Sequence, residues 1–155
     1  LKLREKVPFT MITALHGIFL KKWDCKFVIH HRMMLNPKRL NKLLEFFGAA
    51  GRGPASGRGC LLCNTAVEFG PDDPSGAGFV QQYFERLSAA FHAVLGNARD
   101  RGELGRSVDP REEAGFFTAS VLGLFVMVRA KAPPVVIQSA ARVAIQHLEA
   151  LRYDE

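Results

Sequence analysis

The sequence predicts an all-α fold, a helical bundle closed by a two-helix hairpin at its C-terminal end. Three observations carry this reading. Wherever apolar residues show a period they recur at three and four, as on one face of a helix, and no segment gives a strand signal. Glycine and proline fall between these segments, at Gly48, Gly70-Pro71, Gly102 and Pro133-Pro134. From Ala114 to Val128 there is no charged side chain, and only Thr118 and Ser120 are polar; a helix apolar on every side has to be covered on every side.

Leu1 to Trp23 reads as helical in two pieces around Pro8, with Met11, Ile12, Leu15, Phe19 and Leu20 at helical spacing. Asp24 to Leu35, DCKFVIHHRMML, has no clean period. Asn36-Pro37 supplies a cap and a first-turn proline for a helix that buries Leu40, Leu43, Leu44, Phe46 and Phe47 and stops by Gly48. Gly51 to Gly59, GRGPASGRG, is a flexible loop by composition. Cys60 opens a short apolar helix, CLLCNTAVEF, and Asp72 to Gly76 is a turn. The longest helix runs from Phe79 to Asn97 or beyond, on Val80, Tyr83, Phe84, Leu87, Phe91, Val94 and Leu95.

The hairpin follows. Asp109 is a good N-cap, Pro110 fits the first helical position, and Glu112 and Glu113 sit near the positive end of the helix dipole. In the second helix, Val136, Ala140, Val143, Ala144, His147 and Leu151 fall on one stripe. So apolar a pair, ending so short a chain, suggests that a second copy packs against it in an intersubunit four-helix bundle. An ordinary intrachain core hairpin is the competing account.

At 155 residues the chain is long enough to bury a real core. Its net charge of +6 is uneven: residues 1 to 58 hold 12 Lys and Arg against 3 Asp and Glu, whereas residues 59 to 155 hold 9 against 12. The basic half is the candidate surface for a polyanion, nucleic acid before membrane. The longest uncharged runs, Val7 to Leu20 and Ala114 to Val128, fall short of a bilayer span. Lys21-Lys22-Trp23-Asp24 stands where a secretion signal would need small residues for cleavage. A cytoplasmic protein with reduced thiols is therefore expected, in keeping with an odd count of 3 cysteines.

Candidate chemistry is sparse. Cys60 and Cys63 form a CxxC that on a helix puts both sulfurs on one face, suiting a thiol switch or half a metal site; buried cysteines acting as small hydrophobes compete with that. Cys60 near a helix start is a physically reasonable place for a lowered thiol pKa. His30-His31 with Cys25 lack zinc-ligand spacing, and no nucleophile elbow, P-loop or dinucleotide fingerprint occurs. No metal, cofactor or enzymatic activity is expected. Nine of the 12 phenylalanines lie from Phe46 onward, and with Tyr83, Asn64, Thr65 and Glu68 they make either a solid core or a small-molecule cavity between helices.

Residues 36 to 151 resemble the C-terminal regulatory domain of TetR-family transcriptional regulators. The resemblance rests on NPKRLNKLLEFF, on RGCLLCNTAVEF with its Arg58-Gly59-Cys60-Leu61-Leu62 start, on ARDRGEL, and on VDPREEAGFFTASVLGLFVMVRA before a final amphipathic helix. LREKV and GIFLKKWD resemble parts of the family's first helix. Between Trp23 and His30, however, only six residues stand where the family has two short helices and a turn. Residues 1–35 thus read as a remnant or atypical DNA-binding region, and residues 36–155 as a ligand-binding and dimerisation domain.

The resemblance implies a homodimer, operator DNA recognised by an N-terminal helix-turn-helix, and a small apolar ligand whose binding releases the DNA, so a repressor. It implies ligand contacts among Phe47, Cys60, Cys63, Asn64, Tyr83, Phe84, Phe117 and Val121, and a dimer face including Leu124, Val128, Val136, Ala140, Val143 and His147. Two alternatives stand beside it: a stand-alone helical ligand-binding or dimerisation module without DNA affinity, and a thiol redox sensor acting through Cys60 and Cys63.

Overall fold

A computed structural model describes residues 37–52, 56–60, 63–66 and 77–152. The helices expected over Leu1 to Trp23, the Asp24 to Leu35 stretch with Cys25, His30 and His31, Glu68, Phe69 and the Asp72 to Gly76 turn lie outside them. The described residues are helical, with no strand among them: α1 (Pro37–Ala50), a helical turn at 63–66, α2 (Ala77–Asp100), α3 (Pro110–Arg129) and α4 (Pro134–Ala150). Among them no helix is long and apolar enough to cross a membrane.

Proline opens α1, where its missing N–H would have had no partner. Leu40, Leu43, Leu44, Phe47 and Ala50 form its buried stripe, while Phe46, expected inside, is largely exposed. Two residues separate the expected end at Gly48 from the observed one. A Cβ at Gly48 would lie in ordinary contact with Ala141 of α4, 3.7 Å away, whereas one at Gly51 would press on Ile137 at 3.0 Å. Gly48 lies inside the helix without ending it, and Gly51 is the glycine that the close approach of α4 requires.

The long helix α2 buries Tyr83, Leu87, Phe91, Val94, Leu95 and Ala98 at helical spacing. It ends as a left-handed cap. Gly102 has φ of +67°, its N–H donates to Arg99 O at 2.8 Å, and the Glu103 N–H donates to Ala98 O at 2.9 Å.

Asp109 caps α3, its Oδ1 accepting the Arg111 N–H at 2.8 Å. Pro110, Ala114, Phe117, Val121, Leu124 and Val128 are its buried residues. Thr118 is satisfied by donating to Ala114 O at 2.7 Å. The helix ends as α2 does, with Lys131 in the glycine position at φ of 53°: its N–H reaches Val128 O at 3.2 Å, and the Ala132 N–H reaches Met127 O at 3.0 Å.

In α4 the buried stripe is Ile137, Ala141, Ala144 and Leu148, continued by Leu151. The stripe expected from sequence is divided between the inner and outer sides of the helix. Ala144 and Leu151 face inward, and Val136 and Val143, expected at a dimer face, are 47% and 57% exposed. The helix is rotated because Ile137 and Ala141 seat against the Gly48 and Gly51 seam. Accordingly α4 takes most of its packing from α1, and α3 takes most of its packing from α2. The Gly105 N–H, donating to Leu151 O at 2.9 Å, fastens the end of α4 to the loop before α3.

Candidate functional site

Two regions gather the residues singled out by sequence. The first is the junction where the loop before the 63–66 turn meets α2 and α3. Gly57 and Gly59, at φ of +81° and +63°, let residues 56–60 cross the end of α3 at close range. A side chain on Gly57 would strike Lys131, and one on Gly59 would strike Arg129. The Gly57 N–H donates to Val128 O at 2.9 Å, and Arg129 Nη1 donates to Gly57 O at 3.0 Å.

This strap delivers Cys60 to the core, where its Sγ donates to the Tyr83 hydroxyl of α2 at 3.6 Å. Cys63 is buried beside it, and both are thiols rather than a disulfide. A hydrogen bond with Cys60, then burial, then the Coulombic influence of Cys60 push the Cys63 thiol far above the ordinary cysteine value. Cys63 therefore keeps its proton, which weakens its part in any thiolate chemistry.

Phe47, Phe117 and Val121 share one core cluster with these thiols and Tyr83, and Phe84 packs against it partly buried. The Phe47 ring stands edge-on to Phe125 with centroids 4.6 Å apart, joining α1 to α3. Phe91 and Phe117 lie 6.5 Å apart across α2 and α3. Asn64 sits elsewhere: its Nδ2 donates to Arg58 O at 3.3 Å, at the rim. Phe125 is one of the nine phenylalanines expected in a core or cavity; its pairing with Phe47 is not legible in the sequence, because α3 is apolar all round and offers no polar side to fix its rotation.

The second region is the outer face of the hairpin. Leu124 and Val128, expected there, are turned into the protomer's own core at 1% and 3% exposure. Val136 and Val143 do lie outside, with Ala140 and His147 partly buried between them. Phe116, Val126 and Val135, absent from the expected set, are also exposed. His147 Nε2 lies 2.6 Å from Glu113 Oε2, and its ring is 4.5 Å from that of Phe116. Among the described residues no group of three or more His, Cys, Asp or Glu is placed to hold a metal ion.

Residues 37–144 match the family model described as "Tetracyclin repressor-like, C-terminal domain". The chain is also similar to an uncharacterised HTH-type transcriptional regulator, YezE, of Bacillus subtilis (strain 168): 29% identity over 99 residues, covering 63% of this chain and 51% of that protein. The chain thus spans about half the length of this curated relative. No solved structure matches it.

Proposed function

Since the chain belongs to the TetR family, residues 37–144 matching its C-terminal domain, we propose that it acts as a homodimeric, ligand-responsive repressor of transcription in the cytoplasm. Family membership implies a regulator rather than an enzyme, and no residue is assigned a covalent role.

The observation that carries the dimer is the outer face of α3 and α4. Phe116, Val136 and Val143 are exposed, the Phe116 ring of α3 lies 4.5 Å from that of His147 on α4, and Val136, Val143 and His147 share one side of α4 at helical spacing; exposed large apolar side chains grouped in this way mark an interaction surface. Ala140, small and half-buried among them, lets a second helix come close. The proposed face is Phe116, Val136, Ala140, Val143 and His147, with Leu124 and Val128 supporting it from beneath.

The ligand is a small apolar molecule held among Phe47, Cys60, Cys63, Tyr83, Phe84, Phe117 and Val121, with Asn64 at the rim. These side chains come from α1, α2, α3 and the strap, so a molecule seated among them bears on every element that meets the hairpin. Ligand binding shifts the dimer towards the arrangement it prefers, in which the two N-terminal regions no longer match successive major grooves, and operator DNA is released.

The test is fluorescence anisotropy of the full chain on genomic DNA fragments, with sedimentation of the protein alone. A dimer at micromolar concentration and saturable, salt-sensitive DNA binding are expected. A dimer with no such binding reduces the reading to a dimerisation module, and a monomer removes it.

A further inference from the structure

We propose that Cys60 and Cys63 form a dithiol site for a soft trivalent centre of the organoarsenical or antimonial class, gripped by both sulfurs at once. The site is separate in chemistry from the apolar ligand proposed above. The thiol pair lies among the residues proposed to hold the apolar ligand, but its grip on a thiophilic centre does not depend on DNA binding.

Three features support it. The Asn64 N–H donates to Cys60 O at 3.0 Å, the bond of a helical turn, and residues three apart on such a turn share a face; both cysteines are buried in one core cluster. Cys60 is fixed from two directions, by the Gly57 and Gly59 strap behind it and by the Tyr83 hydroxyl at 3.6 Å in front. Among the described residues no third His, Cys, Asp or Glu joins the pair. Two sulfurs alone do not close a tetrahedral zinc site, but they complete a trivalent arsenic that already carries one carbon substituent.

The reaction balances without an oxidant. An arsenical R–As=O meets two thiols; two As–S bonds form, the As=O bond breaks, and the oxygen takes both thiol protons and leaves as water. Arsenic stays trivalent. Because no thiolate has to persist, the proton held on Cys63 does not block this step, whereas oxidation by a peroxide requires thiolate character.

The probe is phenylarsine oxide added to the reduced full chain. One adduct per chain is expected by intact mass, with thiols titrated after denaturation falling from 3 to 1. The adduct resists excess monothiol and is removed by a dithiol, as two-point attachment requires. A Cys25→Ser chain binds as before, while Cys60→Ser and Cys63→Ser each lose at least about a hundredfold in affinity, the lower end of what linking two attachments contributes. Stripping by a monothiol overturns the proposal without recourse to any variant. Retention of full affinity in either single variant does the same, as does a chain that gives only a Cys60–Cys63 disulfide under peroxide and no adduct.

Discussion

Glu113 and His147 meet at 2.6 Å between the first turn of α3 and the last turn of α4. The hairpin is therefore fastened at both ends, by its short link at Pro133 and Pro134 and by this pair at the far end. Each partner also suits its helix terminus, the carboxylate near an N-terminus and the imidazole near a C-terminus. Phe116, with its ring beside the imidazole, covers one side of the pair.

A double-mutant cycle with Glu113→Gln and His147→Ala is expected to give a coupling energy of about 1 kcal/mol, above that of ordinary surface pairs because the contact is partly buried. Urea denaturation of the four proteins measures it. Additive effects would show that the two side chains are neighbours without being partners.

The inner and outer stripes of the hairpin should answer differently to substitution. Leu124→Ala removes a side chain that is fully inside the protomer and is expected to destabilise it by about 2–5 kcal/mol, leaving the stoichiometry of the folded protein unchanged. Val143→Glu should leave helix content intact by circular dichroism and shift the sedimentation coefficient to that of a monomer. A Val143→Glu protein that still sediments as a dimer would move the interface elsewhere.

The strap gives opposite expectations at two neighbouring positions. Gly59→Ala combines a left-handed backbone with a collision against Arg129, and a loss of about 2 kcal/mol or more is expected. Lys131→Gly relieves the one non-glycine residue at positive φ among the described residues and should add up to about 1 kcal/mol. Thermal unfolding in one buffer compares both with the parent; the first should melt lower and the second higher.

At the seam between α1 and α4, a methyl group on Gly48 would lie at ordinary contact distance from Ala141, 3.7 Å away. Gly48→Ala is accordingly expected to be neutral or to stabilise by up to about 1 kcal/mol through helix propensity. Gly48→Leu overfills the same space and should destabilise by about 1–3 kcal/mol. Chemical denaturation of the pair decides; equal stability of the two variants would mean that the helices part freely at this point.

Local signals made the helices legible. Asp109 with Pro110, the spacing of Tyr83, Leu87, Phe91 and Val94, and Pro37 each act within a turn or two of themselves, and the structure places helices there. What escaped the sequence was orientation. In α3 nearly every position from Ala114 to Val128 is apolar, so periodicity has no polar side to register against, and Leu124 could not be told from Val126. In α4 two apolar stripes lie one residue apart, and the glycines of a distant helix decide which is buried. Gly48 read as a stop signal for the same reason: its partner Ala141 is remote in sequence. The thiol pair was visible as a motif, but its contact with Tyr83 depends on a strap that the Gly-rich composition shows only as a loop.

Because α4 rests chiefly on α1, and α1 is the first of the described helices, these two helices make one stiff arm within the domain. A tilt applied at Pro37 would carry α4 with it, and so swing the exposed Val136 and Val143. If the proposed dimer holds, its geometry would be set at the entrance to the domain, with the α3–α4 bend following rather than leading.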